Sequence, residues 1–218
     1  MQRRIVVISA GLSVPSSSRM LSDQLARGTL AQLADRGIAA ETVVVELRDL
    51  AVDIAHNLVA GFAPAPLAAA IARVTDADAL IAVTPVFSAS YSGLFKSFFD
   101  LLDPKSLEAM PVIIGATGGS TRHSLVLDFA VRPLFNYFRA RTVPTGVFAA
   151  PEDWGSGDST VGGLDLRVAQ AAGELAGMIV PVAAGLTEQG RQDKRARHEA
   201  ELTRSLPFER LLAQISPR

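Results

Sequence analysis

Four serines and an arginine crowd into one short stretch, AGLSVPSSSRML, directly after the apolar run RIVVIS. Ser13, Ser16, Ser17 and Ser18 supply hydroxyls, Arg19 supplies a full positive charge, and the small residues between them let backbone N–H groups approach a ligand. A helix beginning near Ser18 would add the positive end of its dipole, and the whole arrangement suits a phosphate monoester. The same serines also suit an ordinary helix cap, and the two uses are compatible, since one hydroxyl can cap while others bind.

Two further stretches carry chemistry. In TPVFSASYSGLFKSFFD (84–100), Pro85, Val86, Phe87, Ser88, Ala89 and Ser90 can build a flat, mainly apolar wall on which a planar ring could rest. A loop packed against its own domain would read the same way. In GATGGSTRHS (115–124), Gly118 and Gly119 allow close passage of the backbone, with Thr117 and Ser120 beside them. A helix starting there would favour negative charge nearby, whereas the bland reading is a glycine turn capped by Ser120 or Thr121. His123, alone near this edge, reads as a surface or capping residue. GxxxxGK[ST] is absent, GxGxxG does not follow the first apolar run, and no acidic pair follows it. A P-loop, a dinucleotide fingerprint and a metal-dependent phospho-acceptor site are thereby set aside. No catalytic side chain and no metal site is assigned.

The elements that must position these stretches alternate. Apolar runs rich in Val and Ile fall at 4–10, 42–47, 79–84, 112–116 and 143–148. They are apolar at nearly every position, as strands buried on both faces are. Helical patterns fall at 18–36, 66–75, 93–102, 124–141 and 161–180, while 48–65 is a long connection of no clear type. This rhythm predicts an α/β fold, a flavodoxin-like three-layer sandwich around a five-stranded parallel sheet of order 2-1-3-4-5. In such a sheet ligands bind beyond the carboxyl ends of the strands, which is where the three stretches fall. The domain is expected to span 1–186, with a charged tail or arm over 187–218. Along 124–141 apolar side chains cover too much of the circumference for a surface helix. That predicts a homodimer or homotetramer, with Phe95, Phe98 and Phe99 candidates for the same interface.

Composition narrows the function. The chain has 218 residues, 49% of them hydrophobic, no cysteine and a formal net charge of −1. A disulfide scaffold, a thiolate metal site and a cysteine nucleophile are excluded. The near-neutral balance argues against general attraction to nucleic acid or an anionic membrane. No run approaches the roughly 20 apolar residues of a membrane span, so a cytoplasmic protein is expected.

Taken together, SAGLSVPSSSRML, TPVFSASYSGLFKSFFD and GATGGSTRHSL resemble the NADPH-dependent FMN reductase family, a flavodoxin-like group. LDFAVRPLFNYFRARTVPTGVFA (127–149) is similar to the reductases that supply reduced flavin to a separate luciferase-like monooxygenase. The resemblance spans roughly 4–185. Many relatives carry Thr, Ser or Asn at the position of Arg19, and Tyr is frequent at that of Phe87. It implies FMN phosphate at Ser13, Ser16, Ser18 and Arg19. It implies the isoalloxazine ring against the wall from Pro85 to Ser90, with Thr117, Gly118, Gly119 and Ser120 along its pyrimidine edge. It implies NADPH or NADH as hydride donor, and a flavin-dependent monooxygenase as partner. Other functions on the same scaffold are a quinone or azo-dye reductase that keeps its FMN bound, a flavodoxin-type electron carrier, and a flavin-free interaction module. Carriers of that kind are markedly acidic, unlike this chain.

Overall fold

The Val- and Ile-rich runs pair side by side, all parallel, because each is followed by a helix that crosses back over the sheet. In the computed structural model, which describes residues 2–154 and 163–179, the strands are β1 (Arg3–Ser9), β2 (Ala40–Glu46), β3 (Ala79–Phe87), β4 (Ser90–Tyr91), β5 (Pro111–Thr117), β6 (Arg141–Thr142) and β7 (Val147–Ala149). The helices are α1 (Ser17–Ala34), α2 (Ala51–Ala60), α3 (Ala65–Thr75), α4 (Gly93–Phe99), α5 (Arg132–Tyr137) and α6 (Leu164–Ile179). The parallel order is β2-β1-β3-β5, with β6 and β7 both on the far side of β5. Since β6 pairs with the start of β5 and β7 with its end, the two are halves of one broken fifth strand. The predicted order 2-1-3-4-5 is therefore present, with β4 added as an antiparallel hairpin arm on β3.

Alternate residues of each strand enter opposite cores. Val6, Ile8, Leu80, Ala82, Val112 and Ile114 pack toward the layer that holds Ile54, Leu67, Phe95, Phe99 and Phe135. Ile5, Val7, Ile81, Val83 and Ile113 pack toward Leu21 and Leu25 of α1 and Val168 and Leu175 of α6. Phe95, Phe98 and Phe99, expected as interface candidates, are instead fully buried. Their rings stack within the subunit, with Phe99 lying 4.7 Å from Phe95 and 5.0 Å from Phe135.

Three local departures have plain causes. The fifth strand breaks because Pro144 has no N–H to give the ladder. Side chains take over the backbone there: Arg132 donates to the carbonyls of Val143 at 2.9 Å and Pro144 at 3.0 Å, and Glu174 accepts the N–H and hydroxyl of Thr145, both at 2.8 Å. The helix expected over 124–141 is a 3₁₀ turn (Thr121–His123), a π turn (Leu127–Val131) and then α5. Pro133 sits in the first turn of α5, where a missing amide is tolerated, and the wider π turn precedes it. The helix is also not buried all round: Val131 and Phe135 are, but Leu125, Phe129 and Tyr137 are 61%, 78% and 67% exposed. Finally, the connection 48–65 contains α2, which ends at Gly61 with φ of 78°. Among the described residues no single helix is long and apolar enough to cross a membrane. The ends of the helix expected over 161–180, the end of the domain beyond 179 and the tail over 187–218 lie outside the described residues.

Asp78 ties the starts of β1 and β3 together by accepting the Arg4 N–H at 2.8 Å and the Arg3 guanidinium at 2.6 Å. Partial burial pushes its pKa up, but these two donors outweigh that and hold it below the usual carboxylate range. A carboxylate whose pKa is depressed by folding stabilises the fold above its unfolded pKa, and loses that contribution as pH falls through the folded one. Asp78→Asn is predicted to cost about 1 kcal/mol near neutral pH, a modest figure for a group partly open to water. Denaturant titrations of both proteins should converge as the buffer is taken through the acid range; a cost independent of pH would contradict the assignment.

Candidate functional site

Three crossovers open at the carboxyl edge of the sheet. The first loop turns tightly after β1. A Cβ on Gly11 would lie 1.9 Å from Ser16 Oγ, so only glycine lets that hydroxyl reach over the end of the helix. Ser16 is the N-cap of α1, its Oγ accepting the Arg19 N–H at 3.2 Å. The Ser18 hydroxyl is buried and hydrogen-bonds to Thr117 Oγ1 at 2.7 Å, which joins the first turn of α1 to the end of β5. Ser13 is exposed and donates to the Pro15 carbonyl at 2.8 Å. The remaining amides of the first helical turn, those of Ser17 and Ser18, have no partner within the helix and project from its tip. At the root of this loop the buried Ser9 hydroxyl has no hydrogen-bond partner among the described residues.

Arg19 is placed differently from a free phosphate cation. Its Nε lies 2.8 Å from Asp23 Oδ1 and its Nη1 2.6 Å from Glu46 Oε1. Glu46 first, and then Asp23, hold the guanidinium proton and raise its pKa. One positive charge thus faces two negative ones, on the side of α1 next to β2.

The second stretch is not a loose loop. β3 runs on through Pro85 and Val86 to Phe87 and turns back into β4. Ser88 and Ala89 form the two-residue turn with φ of 48° and 65°, the left-handed pair that such a turn requires. Thr84 Oγ1 accepts the Ser92 N–H at 3.0 Å and holds the arm at its base. In the third stretch, the Gly118 N–H bonds to the Ala149 carbonyl at 3.1 Å, which joins this loop to the end of β7. Ser120 caps the short 3₁₀ turn, accepting the Arg122 N–H at 3.3 Å, and His123 sits exposed on that turn.

These segments surround a slot of about 320 Å³ lined by Ser17, Pro85, Val86, Phe87, Thr117, Gly118, Gly119, Ala149, Pro151 and Trp154. Of the residues singled out in the sequence, Pro85, Val86, Phe87, Thr117, Gly118 and Gly119 meet here. Ser88 and Ala89 stand at the exposed tip of the arm, Ser90 lies on β4, and Ser13, Ser16, Ser18, Arg19 and Ser120 are not in the lining. Ser17, read from the sequence as one of the loop's hydroxyls but not among the phosphate contacts, also lines the slot, and sequence reasoning missed the wall that follows β7, which is Ala149, Pro151 and Trp154. The signal for that wall was available, since the fifth strand opens onto the same edge and Trp154 is the chain's one tryptophan. Asp153 fixes the wall: its Oδ2 accepts the Ala150 N–H at 2.8 Å and its Oδ1 pairs with Arg167 of α6 at 2.5 Å. A larger cleft of about 470 Å³ lies elsewhere, among Lys96, Phe99, Asp100, Leu134, Tyr137 and Phe138, away from the strand ends.

The slot suits a flat ring. Its walls are mainly apolar and its mouth reaches Ser17 at the tip of α1. A Cβ on Gly119 would meet nothing within 4 Å, so the space it borders is left open by the protein itself. A ring in the slot would leave a phosphate within reach of the α1 amides, the arrangement of an α/β nucleotide-binding site of the flavodoxin-like class. The family model of NADPH-dependent FMN reductases matches residues 3–155, and the chain belongs to that family. An "FMN reductase (NADPH)" of Pseudomonas aeruginosa is 39% identical over 151 residues, covering 69% of this chain and 78% of that one. An "NADH-dependent FMN reductase SfnF" of Pseudomonas fluorescens is 38% identical over 169 residues, covering 78% of this chain and 88% of that one. Among solved structures, an oxidoreductase from Corynebacterium diphtheriae superposes with a TM-score of 0.78 at 47% identity, covering 82% of this chain and 97% of the other. The apo form of an NADH:FMN oxidoreductase, EmoB, gives 0.70 at 26% identity, covering 84% and 92%.

The two glycines of the third loop separate folding from binding. A Cβ on Gly118 would lie 2.9 Å from Phe148 Cζ, whereas one on Gly119 enters only open space. Gly118→Ala is predicted to lower stability by about 1–3 kcal/mol through overpacking. Gly119→Ala should melt with the wild type but bind FMN more weakly. Thermal melts and FMN titrations of both variants check this, and equal effects of the two would contradict the slot.

Proposed function

We propose that this NAD(P)H-dependent FMN reductase binds FMN with its ring in the slot between the β3–β4 arm and the Gly118–Trp154 side, and hands the reduced flavin to a separate monooxygenase. The observation that carries the reading is the convergence of three strand-end segments on an open, apolar slot with a helix N-terminus at one end. Bound FMN supplies the electron-accepting centre, taking a hydride from the reduced nicotinamide. The chain's own residues bind and orient. Pro85, Val86 and Phe87 support one face of the ring, with the half-exposed Phe87 available for stacking. Thr117, Gly118 and Gly119 border its polar edge, with Ser120 just beyond the lining, and backbone N–H groups other than that of Gly118, which Ala149 holds, can bond to ring oxygens and nitrogens. Trp154 and Pro151 exclude water from the opposite side. Ser88, Ala89 and Ser90 hold the arm in shape.

For the phosphate we assign the α1 amides, Ser17 and the exposed Ser13. Ser16 and Ser18 shape the loop, and Arg19 adds positive potential from behind its two carboxylates. No side chain is required as acid, base or nucleophile, since hydride transfer rests on the placement of two cofactors. The supply of reduced flavin to a partner rests on the likeness of 127–149 to two-component reductases. The absence of cysteine is compatible with a cytoplasmic location.

We also propose a homodimer or homotetramer. Leu125, Phe129 and Tyr137 stand exposed along one face beside the cleft formed with Lys96 and Leu134. An exposed apolar face rimmed by charged groups, here Lys96 and Asp100, is typical of a subunit interface. Phe129→Asp should reduce the molar mass seen by light scattering, and an unchanged mass would place the interface elsewhere.

The function itself is tested by mixing the protein with FMN and NADPH, or NADH, and following the near-ultraviolet absorbance of the reduced nicotinamide. Absorbance should fall with FMN present. No oxidation with either nicotinamide, with or without a quinone, would overturn the enzyme reading. Yellow colour that survives desalting would favour the quinone or azo reductase that retains its FMN.

A further inference from the structure

We infer that the end of β2 is a staple that shapes the first loop for an anion, and that Arg48 is its positioning residue; this rests on the FMN reading above. Residues 12–15 of that loop are all exposed, so little apolar packing holds them. Two contacts from consecutive turns of chain span them instead. Glu46, the last residue of β2, holds Arg19 at the start of α1 at 2.6 Å. Arg48, in the 3₁₀ turn that follows, donates from Nη1 to the Ser13 carbonyl at 2.9 Å. One side of the loop is thus fixed by an ion pair and its tip by a charge-assisted hydrogen bond.

The direction of the second contact matters more than its strength. In a trans peptide the C=O and the following N–H point opposite ways. With the Ser13 carbonyl turned to Arg48, the Val14 N–H is turned away from it, so the loop presents a donor where a free carbonyl would repel an anion. Arg48 remains largely cationic in effect. Its other partner, Asp49, lies 3.4 Å away and is 69% exposed, so solvent screens that pairing. Arg48 is not in the lining of the slot and acts on the flavin only through the loop. Its effect should therefore be confined to the phosphate half of the ligand.

The test compares FMN with riboflavin, which lacks the phosphate, in wild type, Arg48→Ala and Arg48→Lys. Binding is read by quenching of Trp154 emission. Arg48→Ala should raise the Kd for FMN roughly tenfold, the loss of one charge-assisted bond, and leave riboflavin unchanged. In turnover the KM for FMN should rise while kcat holds. Arg48→Lys, which keeps a donor that can reach the carbonyl, should recover part of the affinity and serves if Arg48→Ala does not fold. A crystal structure of the flavin-free Ala variant in which the Ser13–Val14 peptide has rotated would support the staple, because loss of a direct phosphate contact would leave that peptide in place; an unmoved peptide would count against it. Equal weakening of FMN and riboflavin, or an unaltered FMN Kd, would overturn the inference alone. A wild-type chain that binds neither flavin would overturn the site reading, and the staple's role with it.

Discussion

The site depends on one buried hydrogen bond, Ser18 Oγ to Thr117 Oγ1 at 2.7 Å. It joins the first turn of α1 to the last residue of β5, across the strand that lies between β1 and β5 in the sheet. Both hydroxyls are removed from water, so each needs the other, and neither element can slide without leaving a polar atom unpaired. That constraint sets the helix tip, with its free amides, against the glycines of the third loop. The separation between a phosphate end and a ring end is thereby built into the fold before any ligand arrives.

Around that bond the remaining walls are each tied at their base. Thr84 holds the β3–β4 arm, the Gly118 N–H holds the third loop to β7, and Asp153 with Arg167 holds the segment that carries Trp154. Every tie is local and polar, while the two apolar cores below supply the bulk of the stability. Such a division lets the upper segments differ among relatives while the sheet stays constant. It also accounts for a site with no acid–base constellation. A reaction carried by two cofactors asks the protein for placement, and placement is what these hydrogen bonds provide.

The sheet was legible because its strands are buried on both faces, which leaves runs such as IVVI and LIAV apolar at every position. The three loops were legible as chemistry because glycine, proline and serine clusters have few other uses at strand ends. What stayed hidden depended on partners far apart in the chain. Nothing in PSSSRML reveals that Arg19 meets Glu46, or that Ser18 meets Thr117, because both pairings exist only once β2 lies beside β1 and β5 lies beyond β3 on its other side. The sequence pattern of 124–141 shows an apolar helix, but apolar count does not say which side faces the subunit's own core, and Leu125, Phe129 and Tyr137 stand exposed on the other. Pro133, in the first turn of α5, is the residue that marks the interruption in the sequence. Phe95, Phe98 and Phe99 were candidates for an interface because an aromatic cluster reads alike in a core and between subunits. Trp154 follows the fifth strand, away from the switch in strand order that marks the ligand edge in such sheets, although that strand opens onto the same edge.

The most direct measurement is a crystal structure of the FMN complex. The account requires difference density for the tricyclic ring between Val86 and Phe87 on one side and Gly118, Gly119 and Trp154 on the other, with the phosphate at the amide of Ser17. Flavin density in the cleft beside Tyr137, or a phosphate bound to Arg19 with its carboxylate partners displaced, would contradict it.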